Sequence, residues 1–147
     1  MEIEIKIDKQ CTVPKVTIVT DQMTEAIQNL VEKISEATSQ KLIGGFKNEM
    51  FEVLDQSNLI RIYTKGGKVF AMSEKGEYAL RLRLYEIEER LDNKNFMRIS
   101  HSEIINIQKV KSFDLSFSGT ICVCFDDGSQ TFASRRYVSR IKKILGI

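Results

Sequence analysis

The chain has 147 residues, a formal net charge of +2 and three cysteines; 42% of its residues are hydrophobic and 29% are charged. This suits one domain with a real core plus a small appendage, and no apolar run approaches the roughly 20 residues of a membrane span. The odd cysteine count and the acidic, alternating N-terminus argue against a disulfide framework and a signal peptide, so we expect a cytoplasmic protein.

The charges are unevenly distributed along the chain. Residues 1–40 hold four Lys or Arg against seven Asp or Glu, which leaves 18 basic and 13 acidic residues in 41–147. Five of the basic residues fall between Arg135 and Lys143. A basic portion beside an acidic one is typical of a protein that binds a polyanion and has a separate interaction surface, although many proteins with this charge never contact DNA.

The first 40 residues predict a strand–strand–helix unit. Residues 2–6 alternate charged residues with isoleucine, residues 16–20 are β-branched, and residues 24–37 place apolar side chains at helical spacing. Such a unit is too small to be stable alone. We therefore divide the chain into an N-terminal extension, residues 1–40, and a second domain, residues 41–147. Dimerisation is the preferred role of the extension, over docking or completion of the core.

The remaining residues predict a mainly β (α+β) fold with a sandwich-like architecture. Short strands are expected over residues 41–46, 49–54, 59–64, 68–73, 77–81, 96–100, 110–115, 120–125 and 130–134. The Gly66-Gly67 pair indicates a tight hairpin between two of them. Helices are expected over residues 84–91 and 136–145, with one further helical turn through Ile104 and Ile105.

Catalytic and metal-binding chemistry is poorly represented. His101 is the only histidine, no nucleophile elbow surrounds its serine neighbours, and the glycine pairs lack the spacing of a phosphate loop. Cys122 and Cys124 form a Cys-x-Cys pair, but a structural zinc site needs four ligands and these two have no partner set. We therefore expect no enzyme activity, no cofactor and no metal.

Polar residues follow two predicted strands where each strand ends. A Ser-His-Ser corner around His101 follows one strand, and Arg135 with Arg136 starts a basic helix after another. The helix dipole disfavours a cation at this position, so Arg136 hints at an external anion or base edge. For His101 the alternative is an ordinary histidine in a surface turn. For Asn106 the alternative is structural, since its amide can hold the local turn.

Two segments carry a family resemblance. They read Phe96-Met97-Arg98-Ile99-Ser100-His101-Ser102-Glu103-Ile104-Ile105-Asn106 and Ser134-Arg135-Arg136-Tyr137-Val138. In this order and spacing they resemble the LytTR-type DNA-binding domain of bacterial transcription regulators, over about residues 41–147. The resemblance implies an elongated, multi-sheet β fold that inserts loop residues into successive major grooves of double-stranded DNA. Only some 40 residues precede this part, so the chain resembles the stand-alone regulators that lack a receiver domain.

The resemblance also implies which residues contact DNA bases. Three loop positions supply these contacts in the family. Here they match the hairpin around Lys68, the corner at His101, and Arg136 after the last strand. Cations and hydroxyls suit phosphate oxygens, and the residues expected to position phosphates are Arg98, Ser102, Arg135 and Lys142.

The expected partners follow from the same resemblance. Such domains commonly bind repeated sites as dimers, which implies a homodimer, and some stand-alone members are encoded beside small membrane proteins thought to restrain them, which adds a membrane-protein regulator. No small-molecule substrate is expected. The alternative is a protein-interaction module in which residues 1–40 bind a regulatory partner and the basic surface is incidental. An RNA-binding β domain is a third alternative, disfavoured because no pair of stacking aromatics can be located.

Overall fold

A computed structural model of the chain describes residues 1–38 and 42–147. The chain divides into two compact units, Met1–Ser39 and Gln40–Ile147. The predicted boundary between residues 40 and 41, and the start of the strand predicted over residues 41–46, lie outside the described residues.

The first unit contains the predicted helix but not the two predicted strands. Helix α1 spans Glu25–Thr38, and the Thr24 hydroxyl caps it by accepting a hydrogen bond from the Ile27 amide at 3.3 Å. The strands predicted over residues 2–6 and 16–20 are wrong, because both segments are irregular. A strand needs a neighbour that pairs with its backbone groups. Neither segment joins a sheet in the part of the chain that the structure describes.

The second unit is built on two antiparallel sheets. The strands of the larger sheet are β1 (Gly44–Lys47), β2 (Met50–Val53), β3 (Leu59–Lys65), β4 (Lys68–Ser73), β5 (Gly76–Leu80), β6 (Phe96–Ser100) and β7 (Glu103–Asn106). Those of the smaller sheet are β8 (Val110–Asp114), β9 (Cys122–Phe125) and β10 (Gln130–Phe132). The orders are β2-β1-β5-β4-β3-β7-β6 and β10-β9-β8. These strands confirm the mainly β fold.

Two helices accompany the sheets. Helix α2 (Leu84–Arg90) follows β5, and helix α3 (Arg135–Leu145) follows β10 and ends at Gly146, whose φ of 75° is left-handed. Both were predicted from the sequence to within one residue at each end. Within the described residues, no helix has the length and apolar character of a membrane span.

The helical turn predicted through Ile104 and Ile105 is wrong, because these residues belong to β7. This strand pairs with β3 on one side and β6 on the other, and all four of its residues are buried. A short run that is buried on both faces shows no alternation. Periodicity alone cannot distinguish it from a buried helical turn.

Both faces of the larger sheet are covered around β3, β6 and β7, whereas β2 is exposed along its length. On one face, Ile104 packs in a core that includes Ile87 of α2. On the other face, Ile105 packs in a core with Val123 of β9 and Ile141 of α3. The second unit therefore has three layers, namely α2, the larger sheet, and the smaller sheet with α3.

Asn106, at the end of β7, has the structural role considered from the sequence. It is 2% exposed. Its Nδ2 donates to the Leu59 carbonyl at 2.7 Å, and its Oδ1 accepts from the Gln108 amide at 3.0 Å. One side chain thus satisfies a carbonyl of β3 and caps the short 3-10 helix Ile107–Lys109.

Replacing Asn106 with alanine removes both hydrogen bonds. A buried unpaired group costs about 1–3 kcal/mol and a lost cap about 0.5–2 kcal/mol, so we expect the free energy of unfolding in urea to fall by roughly 2–4 kcal/mol. The control is Asn93→Ala at an exposed asparagine, which should change it by less than about 0.5 kcal/mol. Equal losses in the two variants would contradict this role.

Candidate functional site

Three turns that the sequence singled out lie side by side at one end of the strands of the larger sheet. They are the β3–β4 hairpin (residues 65–68), the β6–β7 turn (residues 100–102) and the β10–α3 junction (residues 134–136). The Thr64 amide donates to the Ser102 carbonyl at 2.9 Å, which joins the first turn to the second. The Ser134 amide donates to the Ile99 carbonyl at 3.0 Å, which joins the second to the third. We name these three turns together the three-turn edge.

A β-bulge makes the second of these hydrogen bonds available. The pairing of β6 with β7 shifts by one residue between Arg98 and Ser100, so Ile99 has no opposite residue. Its carbonyl is free to accept from Ser134, while its side chain is fully buried. The extra residue therefore ties the start of α3 to the larger sheet.

The first turn presents two lysines. Lys65 and Lys68 are cross-strand partners, and Gly66 and Gly67 between them have φ of 59° and 76°. Two successive left-handed residues form the tight hairpin turn that glycine favours. Both lysines are exposed. The sequence selected Lys68 alone, although Lys65 lies at the same tip.

At the second turn, Arg98 holds the backbone from inside the protein. Its Nε donates to the Ser100 carbonyl at 2.7 Å, and its Nη2 donates to the His101 carbonyl at 2.6 Å. Its Nη1 pairs with Glu88 at 2.5 Å, and only 12% of its side chain is exposed. The guanidinium is thus engaged within the protein, whereas the exposed residues of the turn are His101 and Ser102.

At the third turn, Arg135 and Arg136 are exposed in the first turn of α3. Helical spacing points Arg136 away from Ile141, which the helix buries in the core. Lys142 lies six residues after Arg136, about 9 Å further along the helix axis and on a different face. Lys143, seven residues on, shares the face of Arg136. The structure therefore places Lys142 on a different face of α3 from Arg136, whereas Lys143, which was not selected from the sequence, is on the same face.

Glu103 links the two sheets directly behind the three-turn edge. Its carboxylate lies 3.3 Å from Arg61 of β3 and accepts a hydrogen bond from the Thr131 hydroxyl of β10 at 2.9 Å. Burial raises the pKa of Glu103, and the Arg61 charge and the two hydrogen bonds offset part of the rise. Because β10 leads into α3, this network fixes the third turn relative to the second. In the sequence, Glu103 is marked by being a carboxylate at the first position of the buried run Glu103–Asn106. Sequence reasoning did not identify it.

The three-turn edge is a basic surface that carries exposed hydrogen-bond donors. Its exposed donors are Lys65, Lys68, His101, Ser102, Arg135 and Arg136. Such groups bind phosphate oxygens and the polar edges of bases. Among the described residues, no group of three or more His, Cys, Asp or Glu side chains could hold a metal ion.

Comparison with known proteins gives consistent matches. A family model for the LytTr DNA-binding domain matches residues 49–146. Two uncharacterized HTH-type transcriptional regulators of Staphylococcus aureus, from strains MSSA476 and NCTC 8325, are each 27% identical over 147 residues, which covers 100% of this chain and 99% of the relative. A solved LytTr DNA-binding domain from Bacillus cereus matches with a TM-score of 0.71 at 21% identity, covering 74% of this chain and 100% of that chain.

Among the residues that the structure describes, no helix-turn-helix of the kind in the relatives' names is formed. That motif requires two helices joined by a short turn. Here α2 and α3 are separated by the five strands β6 to β10. The three-turn edge consists of two strand turns and one helix start instead.

The raised pKa of Glu103 gives a signed prediction for stability against pH. The folded state holds this proton more tightly than the unfolded chain, whose carboxyl titrates near 4.5. The resulting stabilisation is complete below that pH and is lost as pH rises through the folded pKa. Glu103→Gln has no such proton. We expect the free energy of unfolding of the wild type minus that of Glu103→Gln to decrease as pH rises from below 4.5 through the raised pKa of Glu103 in urea titrations. A flat or increasing difference would contradict the assignment.

Proposed function

Because this chain belongs to the LytTR family of DNA-binding transcription regulators, we propose that it reads specific sequences of double-stranded DNA with the three-turn edge. The observation that carries the proposal is the juxtaposition of the three turns through the Thr64–Ser102 and Ser134–Ile99 hydrogen bonds. Turns fixed on a packed sheet hold their side chains at a set spacing. The major groove, about 12 Å wide, admits a two-stranded β-ribbon or a helix, and the three turns belong to such elements.

In this proposal, one residue of each turn contacts the DNA bases. Arg136 offers a guanidinium fork that suits the O6 and N7 atoms of guanine, and it points away from the helix core. His101 presents an imidazole that donates to or accepts from a base edge, on a turn whose backbone Arg98 holds. Lys68 reaches from the hairpin tip. Between them, these residues read bases in successive major grooves along one face of the duplex.

Phosphate contacts fix the protein on the duplex. Arg135 and Ser102 are exposed beside the base-reading residues and bind the adjacent phosphates. Lys142 lies further along α3 and contacts a more distant part of the backbone. Arg98 acts indirectly in this proposal, because its donors already bind the Ser100 and His101 carbonyls. It is a positioning residue for the turn.

We further propose that two copies bind repeated sites as a homodimer in the bacterial cytoplasm, with the Met1–Ser39 unit supplying the contact between copies. The support is its apolar exposure, since Ile3, Ile5 and Ile7 are 84–88% exposed. A run of exposed isoleucines in an acidic segment is typical of a surface that a protein partner covers.

The same observation favours a second candidate function. A protein-interaction module would use the exposed isoleucines to bind a regulatory partner, such as a membrane-protein regulator. The two candidates respond differently to salt. Neutralising several phosphates makes affinity fall steeply as salt rises, whereas an apolar interface changes little.

Selection from randomised duplex DNA tests the base contacts. We expect the wild type to enrich one motif, present twice in each selected duplex when two copies bind. Arg136→Ala and His101→Ala should each weaken binding by about 1–3 kcal/mol, roughly 5- to 150-fold, because each removes one base contact. Fluorescence anisotropy at one fixed salt concentration measures the loss.

The matched control is Lys94→Ala. Lys94 is exposed and precedes β6, at the end of that strand remote from the β6–β7 turn, so its removal should leave affinity and motif unchanged. A wild type that enriches nothing would favour the interaction module. A motif whose binding survives both substitutions would show that the DNA surface lies elsewhere on the chain.

A further inference from the structure

A basic cleft of about 900 Å³ opens beside the tip of the β3–β4 hairpin. Its apolar lining includes Phe46 and Leu80, which are half-buried and buried, respectively. Its cations are Lys68, Arg81 and Arg83, all exposed. Of these, only Lys68 belongs to the three-turn edge. The cleft therefore adds two arginines that have no role in the base reading proposed above.

The cleft lies at the same end of the larger sheet as the three turns. Val69 pairs with Leu80, so Arg81, the next residue after β5, stands opposite Lys68. The strands β5, β4, β3 and β7 are neighbours in that order, at spacings of about 4.8 Å. Arg81 therefore lies about one strand spacing beyond Lys68, on the side away from His101.

An aromatic ring holds Arg81 in place without occupying its donors. The guanidinium carbon lies 4.4 Å from the centroid of the Phe46 ring, which is a cation–π contact. No carboxylate among the described residues forms an ion pair with Arg81, and Glu49 is the acid among the residues that line the cleft. A stacked guanidinium keeps its in-plane N–H groups free, and these are the donors that bind a phosphate in two-pronged fashion.

We propose that this cleft binds the sugar-phosphate backbone of the duplex that flanks the base-reading turns, with Arg81 as the phosphate ligand and Arg83 as the adjoining cation. The partner follows from the position, because a duplex lying along the three-turn edge meets Arg81 next after Lys68. Phosphates recur every 3.4 Å along each strand of the duplex, so the additional contact surface at Arg81 covers about one or two phosphates. The inference rests on the proposed function and extends its contact surface.

The test measures how the affinity of the full chain for its selected duplex depends on salt. Each lost phosphate contact lowers the magnitude of the slope of log K against log salt by about 0.9. We expect this loss in Arg81→Ala and a larger one in Arg81→Ala/Arg83→Ala, with the selected motif unchanged. Arg81→Lys keeps the charge and should retain most of the slope. Lys94→Ala should retain all of it, and thermal melts verify that every variant is folded.

A shortened duplex provides a second arm of the experiment. Removing the flank that reaches Arg81 should lower the slope of the wild type by the same amount and abolish the effect of Arg81→Ala. If the wild type selects a motif but Arg81→Ala keeps the full slope, this inference alone is overturned. A changed motif in Arg81→Ala would make Arg81 a base reader and would also overturn it. A wild type that selects no motif overturns both this inference and the proposed function.

Discussion

The hydrogen bond from the Ser134 amide to the Ile99 carbonyl is the contact on which the candidate site depends. It exists because Ile99 is the extra residue of a bulge, with its side chain in the core and its carbonyl outside the β6–β7 pairing. Glu103 adds a second tie between the sheets through Arg61 and Thr131. The start of α3 is therefore held against the β6–β7 turn twice, once by backbone and once by side chains. A site assembled from three distant segments needs such ties, since small misplacements weaken directional contacts.

Two groups of arginines differ in whether their N–H groups already bind other residues of the protein. Arg98 gives its N–H groups to two backbone carbonyls and to Glu88, so its charge stabilises a turn. Arg61 is similarly engaged with Glu103. Arg81 and Arg136, by contrast, are exposed, and Arg81 is steadied by an aromatic face that leaves its donors free. Net charge identifies a basic protein, but only the hydrogen-bond partners distinguish the structural arginines from those available to a ligand.

The features predicted correctly from the sequence are those whose signals are local. The Gly66-Gly67 turn and the helix α3 are encoded within a few residues, and both were found. Pairing between distant segments is not local, which explains the errors. The alternation in residues 2–6 suited a strand that has no partner, and β7 lost its alternation because both of its faces are buried. The anchoring role of Arg98 was beyond sequence reasoning for the same reason, since one of its partners, Glu88, lies on another element.

The most direct measurement is a titration of the isotope-labelled full chain with the selected duplex, followed through the chemical shifts of its backbone amides. If the three turns act as one DNA-reading edge, the amides of residues 65–68, 100–102 and 134–136 should shift together and saturate at one stoichiometry. Residues 74–75 and 93–95, at the opposite strand ends of the larger sheet, should remain unchanged. Shifts confined to α1 or to that opposite end, with the three turns silent, would contradict the account.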